Sequence, residues 1–310
     1  MPKLLFLILL LLVAGKIHAQ QDPQYSQYMY NNMIINPGYA GSEDAISVAL
    51  LHREEMVGMP GQPSISVFHV NSPFKLFNAN HGVGVSILND KIAFNKNIGG
   101  SLSYAYRLPI QNIGKLGIGI SAGFQNKALD ATWNSGDAPA TDPSIPQPKE
   151  SGISYDLAIG LFYKTENLYL GVSATHLTEP KIKYQTSSLI LKRNFYVTAG
   201  YNIVLPNPAF EFQPSVLVAT DGIISNVDIS SSILYNKRLW GGVSYRLGAA
   251  IVGMAGIQLF NGVRIGYSFD YSTSSALNKN SGGTHELMVS YSFTLSKERV
   301  PHKYKSVRFL

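Results

Sequence analysis

Alternation of apolar residues with small or polar ones runs through most of the chain and restricts its fold more than any other feature. In residues 116–125, LGIGISAGFQ, every second residue is apolar, and the residues between them are glycine, serine or glutamine. Similar alternation recurs at 195–203, 263–271 and 285–294. Successive side chains of a β-strand point to opposite faces, so this period of two predicts strands that face two different environments.

About fourteen segments of the chain carry this pattern, and no convincing amphipathic helix lies between them. The weakest segment is 249–257, so the pattern restricts the number of strands only to roughly twelve to sixteen. The predicted strands are residues 45–52, 64–70, 82–89, 98–107, 115–125, 154–164, 168–175, 192–203, 210–219, 226–235, 238–246, 249–257, 262–271 and 284–295.

Charged residues are too scarce for an ordinary soluble sheet. Only 14% of the residues are Asp, Glu, Lys or Arg, whereas about 25% are charged in typical soluble domains. The face opposite the apolar one carries small or uncharged polar residues, as does the lumen wall of a transmembrane barrel whose other face meets lipid. Because unpaired strand edges cost several kcal/mol per amide in lipid, such a sheet must close. The sequence therefore predicts an all-β fold, a transmembrane antiparallel β-barrel of about 14 strands.

The first nineteen residues have the features of a secretory signal peptide. Lys3 precedes an apolar stretch from Leu4 to Ala14, and the small residue Ala19 offers a cleavage point before Gln20. Eleven apolar residues are too few for a transmembrane helix, which needs about 20. The chain has no cysteine, which excludes disulfide bonds, a cysteine nucleophile and a lipid-modified cysteine after cleavage.

These observations divide the chain into four parts. Residues 1–19 are the predicted signal peptide, 20–44 an N-terminal periplasmic segment, 45–295 an outer-membrane β-barrel and 296–310 a basic C-terminal tail. The tail could contact anionic lipid phosphates or a periplasmic partner, or it could be disordered. We expect the mature protein in the bacterial outer membrane, in contact with its lipid.

Loop lengths support this topology, since bacterial barrels have short periplasmic turns and long outer loops. With both termini periplasmic, most of the predicted periplasmic connections are short. Two connections break the rule, because 71–81 is too long for its side and 247–248 is too short. The long connections predicted to face outside are 53–63, 126–153, 176–191 and 272–283. The 126–153 connection is either a surface loop or one that contacts a partner or folds into the pore.

The distribution of charge argues against nucleic-acid binding. The net charge of +6 comes from the two ends of the chain, and residues 20–295 carry 18 basic and 18 acidic residues. The predicted barrel therefore has no net field that would attract nucleic acid.

Catalytic and metal-binding patterns are also missing from the sequence. The seven histidines show no metal-ligand spacing, and His285 and Glu286 point to opposite faces of one strand. We therefore expect a protein that is not an enzyme and that has no metal and no cofactor.

Charged residues on the predicted lumen face form a candidate network. They line either a salt-bridged wall or a surface on which a substrate or plug docks. The candidates are Arg107, Asp156, Glu211, Asp228, Arg246, Arg264 and Asp270.

The stretch that follows the signal peptide does not alternate like a barrel strand. It combines four tyrosines, among them Tyr28, with turn residues such as Asn36 and Pro37, which indicates a compact element that packs on something. Two interpretations remain open: a segment that caps the periplasmic mouth of the barrel, or a docking site for a partner. Tyr28, Asn36 and Pro37 are therefore candidate partner-binding residues.

Residues 22–41, DPQYSQYMYNNMIINPGYAG, resemble the mature N-terminal signature of the PorP/SprF family of type IX secretion proteins. Residues 51–74 resemble the next block, with Met56 where the family usually has Trp. Further blocks continue the resemblance in order through nearly the whole mature chain. They are 82–94, 170–177, 214–222, 234–246, 265–277 and 282–293.

The resemblance implies an outer-membrane barrel paired with a secreted protein, often a large adhesin. Such barrels support the type IX export of that partner or its retention at the surface through its C-terminal domain, and some relatives connect to the periplasmic machinery that also serves gliding motility. A surface-held partner would reach the outer rim, where the candidate contacts are Arg53, Pro60, Gly61, His285 and Glu286. The alternative is a passive porin or small-solute channel, which predicts the same alternation but needs a water-filled bore.

Overall fold

The computed structural model describes residues 22–111, 113–129, 150–184 and 188–294. The predicted signal peptide, the central part of the 126–153 loop and the basic tail lie outside these residues. Among the described residues, no helix is both long enough and apolar enough to cross a membrane.

Fourteen antiparallel strands close into a barrel, as the sequence predicts. Each strand pairs with its neighbours along the chain, and β1 pairs with β17 to join the two ends. The barrel strands are β1 (Ile46–Glu54), β2 (Ser64–Leu76), β3 (Ala79–Ile92), β4 (Asn95–Ile110), β5 (Gly114–Leu129), β6 (Glu150–Lys164), β7 (Leu168–Thr175), β10 (Asn194–Tyr201), β12 (Phe210–Thr220), β13 (Ser225–Tyr235), β14 (Leu239–Arg246), β15 (Ala250–Gln258), β16 (Val263–Ser272) and β17 (Thr284–Phe293).

Three short strands complete the numbering. β8 (Lys181–Lys183) and β9 (Ser188–Ile190) form a separate hairpin between β7 and β10, and β11 (Ile203–Val204) pairs with the start of β12. One short helix, α1 (Ser275–Asn280), lies in the connection between β16 and β17.

The apolar face of the strands points away from the barrel axis. Ile118, Ile120 and Phe124 of β5 are exposed on the outside, and the glycine and serine residues between them line the inside. This arrangement places the apolar face where lipid surrounds the barrel and the small or polar face toward the lumen.

The two ends of the barrel differ in the length of their connections. One end, here the long-loop end, carries the connections from β1 to β2, β5 to β6, β7 to β10 and β16 to β17. The prediction of a long connection at 71–81 is wrong. β2 and β3 pair up to Leu76 and Ala79, and only Phe77 and Asn78 join them. Both have positive φ, 48° and 61°, as in the tight hairpin turns that match strand twist.

Residues 22–45, the plug, lie inside the barrel. The plug contains three 3-10 turns, Tyr28–Tyr30, Asn32–Ile34 and Pro37–Tyr39, and most of its side chains are buried. The prediction of a segment that caps the periplasmic mouth is therefore wrong in its location. The physical reason is the small lumen face of several strands, which leaves space for a chain of this length.

The plug crosses the barrel from one end to the other. Asp22 hydrogen-bonds Thr175 and Tyr196 at the long-loop end. Gly41 packs against Gly82, close to the opposite end, and the chain then enters β1. The plug therefore enters the lumen at the long-loop end and leaves it at the short-turn end.

Candidate functional site

Glycines of the barrel wall bring the plug backbone into direct contact with the strands. A Cβ atom on Gly38 would lie 2.9 Å from the carbonyl oxygens of Gly117 and Gly160. A Cβ atom on Gly119 would lie 2.5 Å from the carbonyl oxygen of Pro37, and one on Gly82 would overlap Ala40. Because no side chain larger than hydrogen fits at these positions, the wall and the plug have complementary shapes.

Apolar side chains of the plug pack on both halves of the lumen. Tyr25 is buried with Leu51, Ile65 and Val67, which face inward from β1 and β2. Met33 and Tyr39 are buried with Phe162, and the rings of Tyr39 and Phe162 meet edge to face at 5.0 Å. Burial of this apolar surface favours the seated position of the plug.

A buried ion cluster holds the plug near the long-loop end. The Arg53 guanidinium lies 2.8 Å from Oδ2 of Asp270 and 3.2 Å from Oε2 of Glu286. Arg246 lies 2.8 Å from Oδ1 of Asp228 and 3.1 Å from Oδ2 of Asp270. All five side chains are buried. Buried charges need partners to offset the loss of water, and this cluster supplies them from five different strands.

Two backbone N–H groups of the plug complete the ion cluster. The N–H groups of Ser26 and Gln27 donate to Oε2 and Oε1 of Glu286, each at 2.8 Å. The Ser26 hydroxyl donates to Asp270 at 2.8 Å and accepts from Arg53 at 2.9 Å. Both oxygens of Glu286 thus accept hydrogen bonds from the plug. The plug therefore helps to stabilise the buried negative charge of Glu286.

A second ionic contact fastens the first residues of the plug. Nε2 of His176 lies 2.9 Å from Oδ1 of Asp22, and Nδ1 lies 2.8 Å from Oδ2 of Asp156. Tyr196 donates to Asp22 at 2.7 Å. His176 directly follows β7, so this contact, here called the latch, lies at the mouth of the barrel.

The latch keeps its charges over a wide pH range. Burial would lower the pKa of His176, but the nearby carboxylate of Asp22 and hydrogen bonds to Asp156 and Asp22 raise it to about 10. Burial would likewise raise the pKa of Asp22, but the charge of His176 and hydrogen bonds from His176 and Tyr196 lower it to about 2. At neutral pH the latch is therefore an imidazolium between carboxylates.

Polar contacts hold the middle of the plug. Nδ2 of Asn36 donates to the carbonyl of Leu161 at 3.0 Å, and its Oδ1 accepts from the N–H of Gly38 at 2.8 Å. Arg107 donates to the carbonyl of Gly38 at 3.2 Å. Pro37 begins the turn that Asn36 caps. Asn36, Pro37 and Arg107 therefore lie together in the lumen.

Tyrosines of the plug also contact the part of the wall formed by β12 to β16. The Tyr28 hydroxyl lies 3.1 Å from Ser215 and donates to Ser230 at 3.2 Å. The Arg264 guanidinium stacks on the Tyr30 ring at 4.6 Å, a geometry in which the ring face attracts the cation. The ring of Tyr30 also lies 5.0 Å from that of Trp240.

The remaining predicted network residues have separate partners. Asp156 contacts the latch histidine, and Glu211 accepts a hydrogen bond from Asn202 at 2.7 Å. The predicted lumen charges therefore lie inside the barrel in several groups, and Arg53 and Glu286 join Asp228, Arg246 and Asp270 in the largest one.

The placement of Arg53 and Glu286 on an outer rim is wrong. They are only 2% and 0% exposed, because each faces the lumen from a strand and contacts the other. His285 points to the outside and lies 2.6 Å from the Tyr267 hydroxyl. Pro60 and Gly61 are exposed in the loop between β1 and β2, as a rim position requires.

Several residues of the site carry no signal that the sequence pattern could have revealed. Asp22, Ser26 and Gln27 lie outside the strands, and His176 lies in a predicted loop. Two signals were available: the tyrosines and turn residues of 22–41, which indicate a packed element, and the run of glycines on the lumen face of β5, which includes Gly117 and Gly119. Small residues on that face allow a second chain to approach, but they do not identify it.

The lumen retains only limited space beside the plug. A cavity of about 140 Å³ lies between the plug and β3 to β6, and a larger one of about 690 Å³ lies toward the long-loop end beside Asp22. In the part of the chain that the structure describes, no group of three or more His, Asp or Glu side chains could hold a metal ion.

A closed fourteen-stranded barrel with an apolar outer face and its own N-terminal segment in the lumen defines a plugged outer-membrane barrel. Residues 17–291 match the family described as type IX secretion system membrane protein PorP/SprF, and the chain belongs to that family. The resemblance found in the sequence is thus confirmed. No curated protein matches the chain.

Solved structures with a similar fold are outer-membrane proteins. The toluene transporter TbuX of Ralstonia pickettii is 9% identical, with a TM-score of 0.51, and the match covers 84% of this chain and 92% of that one. Omp33 of Acinetobacter baumannii is 10% identical, with a TM-score of 0.47 and coverage of 82% and 100%. At such an identity the likeness to TbuX shows the barrel fold alone. The fold and the family support a location in the outer membrane.

Proposed function

We propose that this protein is a non-enzymatic barrel that supports the type IX export of a secreted partner and holds that partner at the cell surface through its C-terminal domain. The long-loop end then faces outside, as in other bacterial barrels, and the short turns face the periplasm and its secretion machinery. An adhesin that serves gliding motility is the kind of partner that we expect.

The occupied lumen is the observation that carries this proposal. The plug occupies the bore along its length and is bound through both oxygens of Glu286, and the chain itself supplies it. A solute channel needs a continuous aqueous path, whereas a protein that holds a partner needs only a rigid platform with exposed loops. The buried ion cluster supplies rigidity, because it ties five strands to one another and to the plug.

Exposed loops at the long-loop end supply a surface for the partner. The backbone of Val57 forms two hydrogen bonds with the connection between β16 and β17, to Gly283 at 2.9 Å and from Gly282 at 2.7 Å. The carbonyl of Gly61 accepts from Ala93 at 3.1 Å. These bonds join three loops into one surface, on which Pro60 is exposed.

Removal of the gene in the native bacterium tests the proposal. We expect one or more type IX proteins to disappear from the cell surface and to accumulate in the medium or the periplasm. An epitope inserted after Pro60 should weaken retention, whereas the same epitope inserted after Asn236, in a turn at the opposite end, should not. Heat-modifiable gel migration verifies that each barrel is folded. Unchanged surface proteins in the deletion strain would refute the proposal.

Electrical conductance separates this function from that of a passive porin. We expect the purified barrel in planar bilayers to conduct weakly, because the plug occupies the bore. A large, steady conductance of the unaltered protein would favour the porin.

A further inference from the structure

β6 has a free edge at the long-loop end of the barrel. It pairs with β5 along its whole length but with β7 only from Ile159 to Lys164. Residues 151–158 therefore have no neighbouring strand on the β7 side among the described residues. At other junctions of this end, pairing continues to the ends of the strands, as between Thr175 and Asn194 or Thr220 and Ser225.

The latch explains why the edge is free. His176 has a left-handed backbone, with φ 52°, and its side chain turns into the lumen toward Asp22. One further hydrogen bond joins the chain to β6, from the N–H of Leu177 to the carbonyl of Leu157 at 3.0 Å. The β8–β9 hairpin then packs on the inner face of β6, where Ile182 is buried beside Gly152. No described strand pairs with the edge itself.

Two outward side chains along this edge are more exposed than those nearer the middle of β6. Ile153 and Tyr155 point outward and are 68% and 85% exposed, whereas the outward residues nearer the middle of β6, Leu157 and Ile159, are 42% and 49% exposed. In an antiparallel strand, alternate residues direct their N–H and C=O groups to the same side. The backbone groups of Ile153 and Tyr155 therefore face the open side, as that of Leu157 does.

We propose that the free edge, residues 151–156, binds an extended strand of the secreted partner by β-strand addition. This inference rests on the proposed function and names the contact that would hold the partner. An added strand supplies donors and acceptors to Ile153 and Tyr155, and its alternate side chains cover their exposed apolar surfaces. Unpaired edges of this kind are what natural proteins otherwise cover or shield.

The composition of the segment directly before β6 argues against that segment as the occupant. Residues 130–149 precede β6 and contain Pro139, Pro143, Pro146 and Pro148. Proline has no N–H to donate to a ladder and is confined to edges and bulges of sheets. A segment with this spacing of prolines is a poor strand partner for β6.

Site-specific cross-linking in living cells tests the proposal. A photo-reactive amino acid replaces Tyr155, and in a matched control it replaces Tyr271, an exposed outward residue near the long-loop end of β16. We expect a cross-link from position 155 to an extended segment in the C-terminal domain of a type IX protein, identified by peptide mass spectrometry, and none from position 271. Cross-links from position 155 only to a second copy of this chain, or to no protein, would overturn the proposal.

Two substitutions of Ile153 distinguish the contribution of its backbone N–H group to partner binding from that of its side chain. I153P removes the N–H that faces the open side, which an edge strand tolerates, whereas I153A removes the side chain and keeps the N–H. We expect I153P to lower surface retention of the partner at least several-fold more than I153A, with equal amounts of heat-modifiable barrel. If gene deletion abolishes retention but I153P retains the partner as I153A does, this inference is wrong and the proposed function stands. If gene deletion has no effect, the proposed function is itself wrong.

Discussion

Gly38 of the plug and Gly117 of β5 meet backbone to backbone, so that a Cβ atom on Gly38 would lie 2.9 Å from the carbonyl oxygen of Gly117. At this point no layer of side chains or water separates the plug from the wall. Adding even one side-chain atom at such a contact should displace the plug. Single substitutions can therefore test its position.

Gly119→Val should unseat the plug without preventing closure of the barrel. The new Cβ would meet the carbonyl oxygen of Pro37 at 2.5 Å, and overpacking of this kind costs about 1–3 kcal/mol. We expect higher conductance in planar bilayers and faster proteolysis within the plug. Gly253→Val is the control, because a Cβ on Gly253 meets no atom within 4 Å. Equal conductance of the two variants would contradict the contact described here.

Arg53→Ala should destabilise the protein strongly. It leaves Glu286 and Asp270 without one of their buried cationic partners, and loss of one member of a buried ion pair costs about 3–5 kcal/mol. Lys115→Ala is the control, because the pair of Lys115 with Asp44 is exposed and such pairs contribute about 0–1 kcal/mol. Urea unfolding of both variants in lipid vesicles measures the difference, and similar losses would show that the cluster contributes little.

The latch should weaken as the pH rises. The pKa of His176 is raised to about 10, so its stabilising effect is complete below the unfolded value of about 6.5 and is lost as the pH approaches 10. The pKa of Asp22 is lowered to about 2, so its effect is present above about pH 4 and is lost as the pH falls toward 2. We expect the imidazole of His176 to titrate near pH 10 in an NMR experiment. Asp22→Asn should move that midpoint down, and an unchanged midpoint would exclude the pairing.

Ile120→Arg should impair assembly more than an equivalent change outside the membrane. Ile120 is exposed on the outer face of β5, and arginine at the midplane of the lipid face costs roughly 2–4 kcal/mol. Ile223→Arg is the control, because Ile223 is exposed in the connection between β12 and β13. Refolding yield into vesicles reports the effect. Equal yields would mean that Ile120 does not face lipid.

The barrel could be predicted from local sequence patterns because the residues of each strand alternate between the outer face and the lumen face. The alternation of 116–125 identifies β5 and assigns Ile118 and Ile120 to the outer face without knowledge of any neighbour. The prediction for 71–81 was wrong because Pro73 and Lys75 interrupt the apolar pattern, although the backbone continues to pair through them.

The plug could not be predicted in the same way, because its position depends on contacts between distant parts of the chain. Ser26 meets Glu286 across 260 residues, and Asn36 meets Leu161 across 125. Arg53 and Glu286 looked like rim residues because they lie near strand ends. Only the closed structure reveals that Arg53 turns inward to meet Glu286 and that the plug completes their hydrogen bonds.

The direction of the plug through the barrel also has a consequence for biogenesis. Residue 22 lies at one end of the bore and Ile46 at the other, so a segment inserted after closure would have to slide through the whole length of a channel that it fills. Closure around the segment avoids that passage, and β1 and β17 meet at the seam that joins the two ends of the sheet. The N-terminal segment would then act as a template on which the wall is wrapped, and errors in that segment would appear as failures of barrel maturation.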